Sequence, residues 1–223
     1  KTGLDEESLL KSITKIKSVE GRFEKIGNLK NNSKVILDYA HTPDALETLL
    51  KNIKEQFPHA SIKLVFGCGG DRDKAKRSKM GKIASKFADT IYLTDDNPRS
   101  ENPKKIRNEI KRGINKKNLK EIPNRKIAID NCIKNLCSGD IAIVAGKGHE
   151  TTQYYNGKKL FFSDRKEIIK SIKIKNQTLS NDMRLNIIQD RTKNIFKNIK
   201  FNNASINSRE LKKNDIFFAI KGK

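Results

Sequence analysis

The sequence predicts an α/β protein whose sheet is mostly parallel and covered by helices on both faces. Three observations predict it. Short apolar runs recur at Val35-Ile36-Leu37, Ile62 to Phe66, Thr90 to Leu93, Ile127 to Ile129 and Ile141 to Ala145. Stretches of helical periodicity separate them, as in βαβ units. The runs also lack strict polar alternation, which is the pattern of strands buried on both faces.

The elements follow in order. Leu9, Leu10, Ile13 and Ile16 repeat at helical spacing, so an amphipathic helix is expected before Gly21, belonging to a preceding domain over residues 1–20. After the first strand, Thr42-Pro43 is a cap residue followed by Pro at the first helical position, and Leu46, Leu49, Leu50, Ile53 and Phe57 trace one apolar stripe. Asn102-Pro103 repeats the device ahead of Ile106, Ile110 and Ile114, and Asp130 is expected to cap a short helix with Ile133 and Leu136. Two strand-like runs flank Asn156-Gly157, a strong hairpin signal. A helix carrying Ile168, Ile169 and Ile172 then closes a domain of residues 21–175. Residues 176–184 are polar and aperiodic and read as a linker. Beyond it, Leu185, Ile188, Ile195, Phe196 and Ile199 suggest a helix and Asp215 to Ile220 a strand, too little to close a core. Residues 185–223 therefore read as the incomplete start of a second domain.

Composition narrows the function classes. The chain has 223 residues, 35% of them hydrophobic, enough for a core, and no apolar run approaches the roughly 20 residues of a spanning helix. A soluble, cytoplasmic protein is expected, and the ends at Lys1 and Lys223 read as those of a fragment. Its 48 Lys+Arg against 26 Asp+Glu give a net charge of +22, which suits a basic RNA-associated domain. The lysines are scattered, however, and the aromatic residues sit inside apolar runs, so the charge reads better as solubility and non-specific association. Three cysteines without a CxxC pair indicate neither a disulfide framework nor a zinc site.

Four polar loops follow the expected strands at their carboxyl ends, where open α/β sheets bind ligands. Asp38 to Asp44 combines a carboxylate, the His41 imidazole and a helix start; it is also an ordinary strand-to-helix turn. Gly67 to Lys74 holds three glycines that can present N–H groups to an anion, with Arg72, Lys74, Lys76 and Arg77 adding positive charge; it equally suits a tight turn. It lacks the third Gly of a dinucleotide fingerprint and the Lys-Ser/Thr pair of a Walker loop. Thr94 to Ser100 offers Arg99, whose planar guanidinium suits a carboxylate, and Ala145 to Thr151 offers Glu150 for an amine. Together they describe a zwitterion-binding α/β domain.

The ordered set Gly21-Arg22-Phe23-Glu24, DYAHTPDAL at 38–46, FGCGGDRDKAKR at 66–77, TDDNPRSE at 94–101 and AGKGHET at 145–151 resembles the C-terminal domain of the Mur ligase family, in its diaminopimelate-adding branch. The resemblance implies a Rossmann-like sheet, with residues 1–20 as the tail of a central ATPase domain. It implies an ATP-dependent amide ligase of peptidoglycan synthesis, needing ATP and Mg2+. ATP would phosphorylate the free carboxylate of UDP-MurNAc-L-Ala-D-Glu, and the amine of meso-diaminopimelate would attack the acyl phosphate. The chain would contribute the domain that carries the amino acid and closes over the nucleotide by hinge motion near Gly21. Carried over by motif, Arg72, Asp96, Asn97, Pro98, Arg99, Gly146 and Glu150 would bind diaminopimelate, and lysine-adding relatives lack that Arg. Arg22, Asp38 and His41 would face the nucleotide, no catalytic residue or metal ligand would lie in the fragment, and the fragment would be inactive alone. No membrane or specific nucleic-acid partner is expected. A folylpolyglutamate-type ligase is the alternative within the superfamily, and the DNPR and GKGHE loops argue against it. Finally, ASINSREL at 204–211 and DIFFAIKG at 215–222 are similar to the opening of a Mur ligase N-terminal domain, which implies a partial α+β domain of a second ligase in a fused polypeptide, with Ser208 and Arg209 on the UDP-sugar side.

Overall fold

The computed structural model describes residues 5, 19–115, 118–192, 204–205 and 216–217, with side chains through residue 180. The chain divides into two compact units, Lys1–Leu179 and Ser180–Lys223. In the first, six strands form one sheet: β1 (Glu24–Lys25), β2 (Lys34–Asp38), β3 (Ile62–Phe66), β4 (Thr90–Leu93), β5 (Leu119–Glu121) and β6 (Ile141–Ala145). Their order is β1-β2-β6-β3-β4-β5. All pairs are parallel except β1 with β2, and β6 sits at the centre with Ile143 opposite both Ile36 and Leu64. Helices α1 (Pro43–Gln56), α2 (Ala75–Phe87), α3 (Pro103–Lys111), α4 (Arg125–Lys134) and α5 (Asp164–Thr192) and the hairpin β7 (Thr152–Tyr155) and β8 (Lys158–Phe161) complete the described elements of this part of the chain.

Strand alternation sends side chains to two cores. Ile62, Leu64 and Phe66 of β3 and Ile141 and Ile143 of β6 pack with Leu46, Leu50 and Ile53 of α1, Met80 of α2 and Ile106 and Ile110 of α3. Val65, Ala142 and Val144 point the other way, onto Ile129 and Ile133 of α4 and Ile168 and Ile172 of α5. Both faces are thus covered, which is why these strands carry no polar alternation.

The expected caps of α1 and α3 form. Thr42 Oγ1 accepts from the Ala45 N–H at 3.3 Å and Asn102 Oδ1 from the Lys105 N–H at 3.2 Å, each ahead of Pro at the first turn. The hairpin closes through Asn156 and Gly157, both at positive φ.

Three expectations need correction. Ile127 to Ile129 is not a strand but part of α4, which starts where Asn124 Oδ1 accepts from the Ile127 N–H at 3.1 Å. Asp130 therefore caps nothing; it lies inside α4 and accepts from Ser171 Oγ at 3.1 Å. The edge strand on that side is instead Leu119–Glu121, whose charged, half-exposed residues carry little hydrophobic signal. The segment 176–184 is helical, because nothing from Asp164 to Thr192 is Gly or Pro and α5 runs on past Lys175. Asn176 anchors this stretch, accepting from the Lys30 N–H and donating to the Asn28 carbonyl, both at 2.9 Å.

In the second unit, the described strands β9 (Ala204–Ser205) and β10 (Ile216–Phe217) pair in parallel. The helix expected from Leu9 to Ile16, the positions Ile195, Phe196 and Ile199, and Ser208 and Arg209 lie outside the described residues.

Candidate functional site

The loops after β2, β3, β4 and β6 meet at the carboxyl edge of the sheet and line one cavity of about 420 Å³. Arg72, Asp96, Asn97, Arg99, Gly146 and Glu150, scattered over 79 positions of sequence, all line it, together with His41. Among these six, two guanidinium groups, an amide and two carboxylates share one space.

Close packing of backbone on backbone builds the cavity wall. A Cβ on Gly70 would stand 1.9 Å from the Pro98 carbonyl oxygen, so only glycine lets the loop after β3 pass the loop after β4. The Gly70 N–H donates to the Asn97 carbonyl at 2.8 Å, and Ser100 Oγ donates to Asp71 Oδ1 at 2.7 Å. Pro98 is buried at this crossing and shapes the turn; it is not on the cavity wall. Gly21, at φ +69°, lies against the loop after β6, where a Cβ would come within 2.4 Å of the His149 nitrogen.

The hairpin fixes the loop after β4 residue by residue. Gln153 Nε2 donates to the Asp96 carbonyl at 2.5 Å, the Tyr154 N–H to Asn97 Oδ1 at 3.1 Å, and the Arg99 N–H to the Tyr154 carbonyl at 3.0 Å. The Asn156 N–H closes the bridge on the Arg99 carbonyl at 2.7 Å. Arg99 is held at φ +53°, a conformation costing about 1 kcal/mol for a side chain with a Cβ. Its Nη1 donates to the Gly70 carbonyl at 2.7 Å.

The carboxylates of the cavity differ in charge. Asp96 is buried, and desolvation pushes its carboxyl above the ordinary range, with Arg125 and Lys147 only partly offsetting this. Burial also acts on Glu150, but there the Lys147 ammonium and the Asn97 amide win and hold the carboxyl below its usual value. The site therefore presents an ionised carboxylate at Glu150 and guanidinium groups at Arg72 and Arg99, with Asp73, Lys76 and Lys79 also on its wall, a charge set that suits a ligand bearing both amines and carboxylates.

Arg77 departs from expectation. It adds no charge to the glycine-rich loop: its side chain is fully buried, donating to Glu101 at 2.8 and 3.0 Å, Glu109 at 2.7 Å and the Gly69 carbonyl at 3.1 Å. It supports the loop from beneath. Hydrogen bonds from Arg77 are the largest influence on Glu101 and lower its carboxyl from 4.5 to about 2. Because that value is depressed on folding, the stabilisation is complete above the unfolded value and is lost as pH falls through the folded one. A carbon-detected titration of the Glu101 carboxyl should show its midpoint near 2, and a midpoint above 4 would refute the pairing.

Arg22, Asp38 and His41, the residues expected to face a nucleotide, gather around Tyr39. The Arg22 guanidinium lies 4.5 Å over its ring, and His41 packs edge-on at 4.5 Å with Nδ1 2.8 Å from the Tyr39 carbonyl. Asp38 accepts from the Phe23 and Ala40 N–H groups, both at 2.7 Å, bracing β1 to the turn after β2. Arg22 and Asp38 do not line the cavity. Among the described residues, no group of three or more His, Cys, Asp or Glu side chains is placed to hold a metal ion. Sequence reasoning missed Lys147, Gln153 and Tyr154; the last two carry only a hairpin signal, and Lys147 none beyond its place between two glycines.

The chain matches the Mur ligase family, glutamate ligase domain, over residues 21–148. It belongs to that family. The UDP-N-acetylmuramoyl-L-alanyl-D-glutamate--2,6-diaminopimelate ligase of Rickettsia montanensis is 50% identical over 174 residues, covering 78% of this chain and 36% of that one. A solved structure of a ligase with the same printed name superposes with a TM-score of 0.66 at 38% identity, over 77% of this chain and 35% of that one. The chain therefore spans about a third of the length of these Mur ligases. A bifunctional folylpolyglutamate synthase/dihydrofolate synthase from Yersinia pestis superposes with a TM-score of 0.51 at 20% identity, over 66% of this chain and 32% of that one, which shows a shared fold alone.

Proposed function

We propose that the chain is the amino-acid-binding, C-terminal domain of an ATP-dependent ligase that adds meso-diaminopimelate to UDP-MurNAc-L-Ala-D-Glu in peptidoglycan synthesis. The convergence of Arg72, Arg99, Asn97 and Glu150 on one cavity carries this reading. Diaminopimelate has an ammonium and a carboxylate at each end. In this reading Arg99 and Arg72 take carboxylates, Glu150 takes an ammonium, and Gly146 lets backbone approach the ligand.

Orientation is the domain's contribution to rate. The substrate's free carboxylate would take the γ-phosphoryl group of ATP with release of ADP, and the resulting acyl phosphate would be attacked by the free amine; the C–N bond forms, the C–O bond to phosphate breaks, and the amine loses a proton. Holding the amine in line supplies the proximity term of catalysis. ATP and Mg2+ would be held by parts of the ligase other than this chain. Arg22 and His41 would meet the nucleotide when the domain closes near Gly21, and the chain alone would not catalyse. No described helix is long and apolar enough to cross a membrane. Residues 1–20 are read as the tail of the ATPase domain and 21–175 as the C-terminal domain. The division after Leu179 supports reading the remaining chain as the start of a second Mur ligase in a fused polypeptide, with Ser208 and Arg209 toward its UDP-sugar.

Titrating meso-diaminopimelate and L-lysine into the isotope-labelled 223-residue chain tests the reading. Saturable shifts at Asn97, Arg99 and Gly146 are expected with diaminopimelate, and affinity for lysine lower by at least about 100-fold, because lysine leaves a guanidinium unpaired. A salt-dependent response to generic RNA with no saturable response to diaminopimelate would instead support the basic RNA-associated reading.

A further inference from the structure

Lys147 opens the loop after β6 and its side chain is fully buried. A buried ammonium is costly to desolvate unless all of its hydrogens are satisfied and a counter-charge is near. Lys147 meets both conditions: Nζ donates to Asn97 Oδ1 at 3.1 Å, Glu150 Oε2 at 2.8 Å and the Thr152 carbonyl at 2.7 Å. Its three hydrogens are thereby used.

The consequence falls on the two side chains it touches. Asn97 Oδ1 also accepts from the Tyr154 N–H at 3.1 Å, so two donors fix which end of the amide is oxygen. Asn97 Nδ2 is then turned to Glu150 Oε2, at 3.0 Å. Glu150 Oε2 receives both Lys147 and Asn97, while no described residue donates to Oε1. A free asparagine and a free glutamate at a cavity wall would sample several rotamers, and a ligand would have to order them.

We propose that Lys147 is a positioning residue for amino-acid recognition: its ammonium locks the Asn97 amide and the Glu150 carboxylate in the arrangement that leaves Oε1 for the ligand's ammonium. The proposal rests on the amino-acid-binding reading of the cavity. It also explains a lysine kept out of water beside a ligand site whose lining cations, Arg72, Lys76, Lys79 and Arg99, border the cavity itself.

The electrostatics around Glu150 give a readout that a merely structural role would not move. Lys147 and, from α4, Arg125 favour its ionised form; Asp96, from the loop after β4, opposes it, and burial opposes it most. Without Lys147 the nearest cation is gone, so Glu150 should take up a proton at higher pH than in the wild type. An ammonium ligand needs the carboxylate, and affinity then falls as pH falls. His41 lines the same cavity in both proteins, so the difference between the two pH profiles is the measured quantity.

The test is calorimetric titration of meso-diaminopimelate into the wild-type 223-residue chain and its Lys147→Met variant between pH 8 and pH 5. At pH 8 the variant is expected to bind about 30-fold or more weakly. Below that, its affinity should fall further while that of the wild type stays level, with preference over lysine retained in both. Equal affinities and parallel profiles would overturn the positioning role and leave the amino-acid reading intact. A wild type that binds no diaminopimelate removes both. Should Lys147→Met not fold, the wild type alone decides by NMR: a slowly exchanging Lys147 ammonium and a Glu150 carboxyl titrating below the ordinary glutamate value support the proposal. A rapidly exchanging ammonium or a carboxyl titrating above that value overturns it.

Discussion

Replacing Arg99 by alanine is expected to weaken meso-diaminopimelate binding by about 2–5 kcal/mol, the loss measured when one partner of a desolvated charge pair is truncated, while lysine affinity stays within about twofold. The asymmetry follows from where Arg99 is anchored. Its backbone is fixed by the hairpin, through the Tyr154 carbonyl and the Asn156 N–H, and does not depend on the guanidinium. Among the described residues one side-chain hydrogen bond is lost, the 2.7 Å bond from Nη1 to the Gly70 carbonyl. Alanine at φ +53° bears the same backbone strain as arginine, so stability should hardly change. Arg99→Lys should not restore the preference, because an ammonium cannot reproduce a planar two-donor contact with a carboxylate. Calorimetric titration of both ligands against both variants checks this. Equal losses for diaminopimelate and lysine would mean that Arg99 supports the loop instead of reading the second carboxylate; no loss for either would sink its assignment.

Why Arg99 could be singled out from sequence and Lys147 could not is a matter of which forces leave local marks. Arg99 stands in a turn-rich stretch after an apolar strand, at the carboxyl edge of a parallel sheet where ligands bind. Lys147 is as polar as any surface lysine; its burial arises from Asn97, Glu150 and Thr152, two of which are on different loops or strands from it in the folded chain. Arg77 deceived for the same reason, since Glu101 and Glu109, which draw it inward, lie 24 and 32 residues away. The elements divide likewise. The stripe of α1, the Thr42 and Asn102 caps and the Asn156-Gly157 turn are set by neighbours in sequence and were legible. Ile127 to Ile129 was not, because three residues fit a strand and a helix equally, and the deciding contact is the Asn124 cap just upstream. Residues 176–184 looked like a connector for want of apolar periodicity, yet polar residues without Gly or Pro continue a helix readily once it is nucleated.

Asp164→Ala is expected to destabilise the first unit by about 3–5 kcal/mol, read as a lower urea midpoint with an unchanged slope. Arg125 and Asp164 are both fully buried and paired side-on, Nε to Oδ1 at 2.8 Å and Nη2 to Oδ2 at 2.7 Å. The pair staples the first turn of α4 to the first turn of α5, and Nη2 also reaches the Ala145 carbonyl at 2.9 Å, at the end of the central strand where the site loop begins. Arg125 Nη1 has no partner among the described residues, so the guanidinium is already not fully satisfied. Removing the carboxylate leaves a buried cation without its hydrogen-bonded counter-charge, and the large penalty comes from that loss of a partner more than from the lost attraction. The double variant Arg125→Met with Asp164→Leu should for that reason recover most of the stability. It should not recover ligand binding in full, because Arg125 also offsets the desolvation of Asp96 and favours ionised Glu150. Stability and affinity would then part company in one variant. A double variant as unstable as Asp164→Ala would instead show that the pair is needed for its geometry, as the clamp that sets α4 and α5 against β6, and not merely tolerated as a neutralised charge.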